Sequence, residues 1–136
     1  MMRDILFRGK RVDNGEWTEG YLYKIWNKVF LLWGMTGDSP NMEEIKPETV
    51  GQFTGLCDKN GKKIFEGDIV LFEDESPTNY EYHDCTEMRC GEIKFGDGAF
   101  YITNRIAVEM GDLLYCGELD CEVIGNIHDN PELLEV

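Results

Sequence analysis

The side chains of this chain best suited to chemistry are four thiols and an imidazole in its second half. His83-x-Cys85-x4-Cys90 and Cys116-x4-Cys121 offer the soft sulfur and nitrogen donors that tetrahedral zinc prefers. A spacing of four occurs for paired ligands, but neither pair forms the tight Cys-x2-Cys knuckle. Two thiols brought close by the fold would instead make a redox pair. Scattered cysteines in a reducing compartment ordinarily behave as small hydrophobes. The expectation is therefore inert thiols and no cofactor, with His83, Cys85, Cys90, Cys116 and Cys121 as the ligands a zinc site would draw on. Cys57 brings the total to five, an odd count that argues against a closed disulfide framework.

Nucleophilic or acid–base catalysis finds little support. His83 and His128 are the only histidines, so a Cys–His pair would have to be assembled by the fold. His83 sits among carboxylates that favour its charged form rather than poise it as a base. No Gly-x-Ser-x-Gly, His-Glu-x-x-His or phosphate-cradling loop occurs. The chain reads as a non-enzyme.

Charge narrows the partners. The net charge is −14 and is unevenly spread. Residues 1–63 hold ten Lys/Arg and nine Asp/Glu, whereas residues 64–136 hold three and eighteen. The second half projects a negative field that repels phosphates and attracts basic partners. A duplex-binding surface needs clustered cations. Only Arg3, Arg8, Lys10 and Arg11, with Lys59, Lys62 and Lys63, come near that. Direct nucleic-acid binding is the weaker expectation. The carboxylates at Glu73-Asp74-Glu75, Glu81, Asp84, Glu87, Glu109, Asp112, Glu118, Asp120 and Glu122 read as solubilising surface. The sharper alternative is a DNA mimic that occupies a host nucleic-acid enzyme.

At 136 residues, with 42% hydrophobic content, the chain has the size of one domain and enough apolar surface for a core without staples. Charged residues interrupt the N-terminal stretch, so no leader peptide is expected. The longest uncharged apolar run, residues 29–35, is far short of a membrane span. A cytoplasmic protein with reduced thiols and no membrane partner is the simplest expectation.

These side chains must be held by β-structure, because short β-like runs recur between turn signals. Residues 5–8 form the first run, followed by the Asn14-Gly15 turn pair. Residues 17–23 then place Trp17, Glu19, Tyr21 and Tyr23 on one face, and Trp26 and residues 29–33 add another strand. Residues 37–47, polar with two prolines, read as a loop. Residues 50–56 read as a strand whose glycines suit close backbone approach, and Asp58-Lys59-Asn60-Gly61 turns it back. Glu66-Gly67-Asp68 bends the chain into residues 69–72, an apolar run expected to be buried on both faces; Glu66 and Asp68 are expected to face water. Residues 73–90 read as a solvated loop. Residues 92–102 form a hairpin about Gly96-Asp97-Gly98, and residues 103–121 have no clear pattern. Residues 122–127 form a last strand, and Pro131 opens a helical turn. Aromatics at strand positions, including Trp17, Tyr21, Tyr23, Trp26, Trp33, Phe95, Phe100 and Tyr101, are expected to fill the core. Any left exposed would suit a protein interface better than a nucleic-acid platform.

Phe7-x-Gly9-x4-Asn14-Gly15-x3-Glu19-Gly20 is echoed by Phe53-x-Gly55-x4-Asn60-Gly61-x4-Glu66-Gly67. Duplication would produce this, and so would two hairpins meeting the same turn chemistry.

Several of these segments, taken in order, resemble the YopX family of phage and prophage proteins. They are Phe7-Arg8-Gly9-Lys10, Gly15-Glu16-Trp17-x-Glu19-Gly20 and the run from Thr49 through Gly55 to Leu56. Asp58-Lys59-Asn60-Gly61, Ile64-Phe65-Glu66-Gly67-Asp68-Ile69-Val70 and the run Val123-Ile124-Gly125-Asn126 to Asp129-Asn130-Pro131-Glu132 complete the set. The resemblance implies a mainly β fold of short antiparallel strands, with little helix and an SH3-like small barrel in the second half. It also implies a cytoplasmic life in an infected bacterium. It supplies no catalytic residues. Gly55, Asn60, Gly61, Glu66, Gly67, Asp68, Gly125, Asn126 and Pro131 then read as a structural signature. The expected organisation is one compact domain over residues 1–136, divisible into N-terminal hairpins (1–49) and a barrel-like part (50–136). The expected role is a phage accessory module that binds a host or phage protein of basic character. An edge strand at residues 5–8 would let copies pair, so a homo-oligomer is a further expectation.

Overall fold

The computed structural model describes residues 4–75, 86–103 and 121–134. Ten strands lie among them, with two short 3-10 turns, and the strands form antiparallel sheets. The chain divides into two units, residues 1–55 and 56–136.

In the first unit, β1 (Phe7–Lys10) and β2 (Trp17–Ile25) pair with Phe7 opposite Gly20 and Lys10 opposite Trp17. Gly15, at φ 71°, takes the left-handed position of their turn, which glycine occupies without a Cβ penalty. β3 (Lys28–Thr36) pairs with β2, β4 (Ser39–Ile45) with β3, and β5 (Gly51–Cys57) with β1. The strand order in this unit is β4-β3-β2-β1-β5. Residues 37–47 are thus not the expected loop. Pro40 stands near the start of an edge strand, where a missing N–H costs no ladder bond, and Pro47 opens the 3-10 turn Pro47–Thr49.

This sheet curls back on itself. Lys46 N–H donates to Lys10 O at 2.9 Å and Val12 N–H to Glu44 O at 2.9 Å. Arg11 bridges Ile45, and its Nη2 lies 3.1 Å from Glu43. Thr49 Oγ1 locks the closure by accepting from Lys10 N–H at 2.9 Å and donating to Lys46 O at 2.7 Å. Leu31 and Ile45 are fully enclosed. A Cβ on Gly9 would collide with Ile45 Cγ2, and one on Gly20 with the Leu32 carbonyl oxygen. The interior is filled to the backbone.

The second unit holds β6 (Lys63–Phe65), β7 (Asp68–Glu75), β8 (Thr86–Gly96), β9 (Ala99–Ile102) and β10 (Glu122–Asn126). Four of these form a sheet in the order β10-β7-β8-β9. Its core is Ile64, Val70, Phe72, Ile93, Ile102 and Cys121, with Leu56, Phe100 and Val123 packed against it. Burying each large aliphatic or aromatic side chain contributes about 1.5–3 kcal/mol. The apolar run of β7 is enclosed as expected, since Ile69, Val70 and Phe72 are all buried. The expected SH3-like barrel is not found among the described residues, because this sheet is open, with β10 and β9 at its edges. The loop expected over residues 73–90 shrinks at both ends: β7 runs on to Glu75 and β8 begins at Thr86. The β8–β9 hairpin turns on Asp97 and Gly98, both at positive φ, as an Asp-Gly pair does.

One carboxylate organises this unit. Asp58 Oδ1 accepts the Asn60 and Lys62 N–H groups at 2.9 Å each, and Oδ2 accepts Val123 N–H of β10 at 3.0 Å. Lys59 N–H reaches Cys121 O at 3.0 Å beside it. Asp58 is buried. That burial pushes its pKa up, but donation from Val123, Lys62 and Asn60 and the Lys62 charge outweigh it and hold the group below its ordinary value. Asp68, expected at the surface, is also enclosed, and its Oδ2 accepts Phe65 N–H at 2.7 Å across the Glu66-Gly67 bend. Gly67 itself sits at φ 91°.

Two outcomes follow from these contacts. Asp58→Ala strands three N–H groups and should cost roughly 3 kcal/mol or more in chemical denaturation. Because its pKa is depressed in the fold, Asp58 contributes fully above the unfolded value near pH 4. That contribution is lost as pH falls through the lower folded value. Acid titration of stability should therefore be shallower in Asp58→Asn than in the wild type. Gly9→Ala forces Ile45 from its place and should cost about 1–3 kcal/mol, read as a lowered melting temperature.

Candidate functional site

The nine signature residues, expected to be structural, stand in and beside the turns and strands of residues 55–68 and 125–131. Gly55 (φ 89°), Gly61 (φ 81°) and Gly67 (φ 91°) occupy left-handed positions. A Cβ on Gly55 would meet nothing within 4 Å, so its requirement is conformational rather than one of close approach. Asn60 N–H ends on Asp58, and Glu66 and Asp68 flank the bend at Gly67. Asn126 Oδ1 accepts the His128 and Asp129 N–H groups at 3.0 and 2.9 Å. Gly125 leaves room for the Asn130 carboxamide, whose Oδ1 would lie 2.6 Å from a Cβ there. Pro131 opens the 3-10 turn Pro131–Leu134, as expected. The two echoed hairpins part company here: Gly9 and Gly20 are confined by their neighbours, whereas Gly55 and Gly67 carry positive φ. Shared turn chemistry accounts only for Gly15 and Gly61.

The thiol candidates do not assemble among the described residues. His83, Cys85 and Cys116 lie outside them. Cys90 is half-buried on β8. Cys121 is fully buried and disulfide-bonded, so its sulfur is no free thiolate and the expectation of five reduced thiols fails there. No group of three or more His, Cys, Asp or Glu placed to hold a metal occurs among the described residues. Of the carboxylates considered for DNA mimicry, Glu81, Asp84, Glu109, Asp112, Glu118 and Asp120 lie outside the described residues. No described helix is long and apolar enough to cross a membrane.

The aromatics depart furthest from expectation. Cross-strand partners share a face of a sheet, and successive residues alternate. The register puts Leu31 and Ile45 on the inner face of the curled sheet and the following residues on the outer face. Tyr21, Leu32 and Met42 form one row across β2, β3 and β4, and Tyr23, Phe30 and Glu44 form the next. Tyr21 is 65% exposed and Tyr23 45%. Trp33, Met35 and Met42 are exposed as well, near the bulge between Leu32 and Met35, where Gly34 turns at φ 64°. Farther along β2, Trp17 is half-buried under two cations, with the Arg8 guanidinium 4.8 Å and the Lys10 ammonium 5.4 Å from its ring centroid.

Trp26 stands at the tip of the β2–β3 hairpin, 86% exposed and at φ 53°. A bulky residue with positive φ is strained, at a cost of order 1–3 kcal/mol. At the other positive-φ positions described, this chain places glycine or Asp97. The turn could have been found in the sequence, since Ile25-Trp26-Asn27-Lys28 joins two strands through two residues and neither is glycine. The face as a whole was hidden, because Met42 and Glu44 belong to the strand that Pro40 and Pro47 disguised.

Tyrosine, tryptophan and methionine on a rigid sheet offer large apolar contact area with few torsions to freeze. Contiguous exposure of such residues marks a recognition surface. The arrangement offers contact area on the outer face of β2–β4.

Comparison with known proteins gives a family match. The model described as YopX protein matches residues 6–135. A crystal structure of protein EF1440 from Enterococcus faecalis is similar over 98% of this chain and all of that one, with 28% identity and a TM-score of 0.57. Among curated proteins, none matches the chain.

If the Trp26 strain has no folding purpose, relieving it stabilises. Trp26→Gly should raise stability by about 1 kcal/mol in denaturant unfolding, an unusual gain for removing a tryptophan.

Proposed function

The chain belongs to the YopX family, and on that premise we propose that it is a phage or prophage accessory protein that acts in the host cytoplasm by binding another protein. The observation that carries this reading is the outer face of β2–β4, where Tyr21, Tyr23 and Met42 stand exposed in rows beside Trp26. Interface anchors are typically aromatic and seat in desolvated pockets of the partner. The net charge of −14, concentrated in residues 64–136, favours a partner of basic character and speeds its approach at low salt. The role is recognition, without a catalytic step.

A second reading has one observation in its favour. Arg8 and Lys10 over Trp17, with Tyr21 and Tyr23 beyond, place cations beside aromatics on one strand face, as single-strand binders do. Two cations already cover the Trp17 ring, and the −14 charge opposes it.

Co-purification from host lysate separates the two. Each aromatic anchor removed should weaken binding about tenfold or more. A Tyr21→Ser/Tyr23→Ser chain should therefore lose the partner that the wild type retains at physiological salt, with its melting temperature unchanged. Retention of the same partner by the double variant would remove this face from the mechanism. A gel shift with short single-stranded DNA or RNA at low salt that disappears in the double variant would instead favour nucleic acid.

A further inference from the structure

We propose that Asn60-Gly61 is a self-modification site, where the folded chain slowly converts Asn60 to aspartate and isoaspartate and so loosens the Asp58 turn. Water is the co-reactant, and the chemistry does not depend on any partner of β2–β4.

Two positions have the residue types for this reaction. Asparagine is followed by glycine at Asn14-Gly15 and at Asn60-Gly61, and both asparagines are exposed. Glycine has no Cβ to shield its nitrogen, so that nitrogen can reach the preceding carboxamide. At the second position the Gly61 nitrogen loses its proton and attacks Asn60 Cγ. A C–N bond forms, the Cγ–Nδ2 bond breaks, and the amide takes up a proton and leaves as ammonia. Water then opens the cyclic imide. Cleavage at Cγ gives aspartate, and cleavage at the main-chain carbonyl leaves the chain running through the former side chain as isoaspartate.

The structure separates the two positions. Their glycine nitrogens are held alike, Gly15 N–H donating to Arg11 O and Gly61 N–H to Asp58 O, each at 2.9 Å. The carboxamides differ. Asn14 Oδ1 accepts Glu16 N–H at 2.9 Å, and its Nδ2 reaches Glu16 Oε2 at 3.4 Å. Both contacts must break before Asn14 Cγ can turn to the Gly15 nitrogen. Asn60 commits its backbone N–H to Asp58 Oδ1 at 2.9 Å, while its carboxamide makes no hydrogen bond to any described residue. Releasing one hydrogen bond corresponds to roughly fivefold in rate, so Asn60 is the faster site.

Its place in the turn gives the change its reach. Asn60 N–H and Lys62 N–H both end on Asp58 Oδ1 at 2.9 Å, and Oδ2 accepts Val123 N–H of β10 at 3.0 Å. Isoaspartate inserts one carbon into the main chain between the first two donors, so they no longer converge on one oxygen. Asp58 is buried, and a buried carboxylate that loses a donor is left with charge that nothing compensates. The change thus passes through Asp58 to β10, and the turn acts as a timer on the second unit.

Ageing the purified full chain, folded and in denaturant, tests this when its peptides are mapped with aspartate and isoaspartate resolved. The denatured chain supplies the intrinsic rate of each Asn-Gly pair. Relative to that rate, folded Asn60 should convert at least about fivefold faster than folded Asn14. Mildly alkaline buffer should speed it further, because the attacking nitrogen must lose its proton. The isoaspartate fraction should melt below fresh protein. Asn60→Asp, which adds the charge without the inserted carbon, should lose less. Asn60→Gln, whose closure would need a larger and slower ring, should keep its melting temperature through the same ageing. Equal protection of Asn60 and Asn14 in the folded chain overturns the proposal. So does an isoaspartate fraction that melts like fresh protein, or an aged Asn60→Gln chain that loses as much as the aged wild type.

Discussion

Space inside the first sheet is the constraint on which the candidate surface depends. The curl that brings Lys46 N–H back to Lys10 O closes the strands on an interior already filled by Leu31 and Ile45. Gly9 and Gly20 cannot take even a methyl group there. A short curled sheet has one small inside and one large outside. With Leu31 and Ile45 inside, Tyr21, Tyr23, Phe30, Leu32 and Met42 fall on the opposite face by alternation alone. The exposed aromatic surface is thus a consequence of how tightly the sheet closes, and the glycines that permit the closure are as much a part of the surface as the tyrosines that form it.

The second unit solves a different problem. Its turn at residues 58–61 and its late strand β10 are far apart in sequence, and the Asp58 carboxylate joins them by accepting from both. A buried carboxylate that accepts several N–H groups remains charged, because the donors favour the ionised form more than burial disfavours it. Asp68, also enclosed, accepts the Phe65 N–H across the Glu66-Gly67 bend. Among the described residues the carboxylates of this half thus divide into two enclosed ones, Asp58 and Asp68, that accept from the backbone, and exposed ones such as Glu73, Asp97, Asp129 and Glu132. The family signature draws on the enclosed pair. The most recognisable motif, Glu66-Gly67-Asp68, is a bend held by its own side chain.

Strain and exposure separate residues that their type alone would group together. Every signature glycine at positive φ removes strain, whereas Trp26 accepts it. Two cations cover the Trp17 ring, and among the described residues none is placed over Trp26, which is 86% exposed. Two tryptophans of one hairpin thus stand in opposite surroundings.

The sequence by itself determined the class of fold, most of the turns and the family. Those features are local: glycine, asparagine and aspartate decide turns within four residues, and two-residue alternation decides strands. It also determined the charge division, which is a matter of counting. The tertiary structure alone decided which aromatics lie outside. A strand of alternating aromatics has two faces that the sequence treats alike, and which one is enclosed depends on β4, whose prolines made it read as a loop. The same holds for Asp68, a bend residue by its neighbours and a buried acceptor by its partner. The barrel expected of the second half depended on closure between strands distant in the chain, and the described strands form an open sheet instead. Local preference writes turns and strands into the sequence; burial belongs to what comes to lie across from a residue, and distant segments supply that only when the chain has folded.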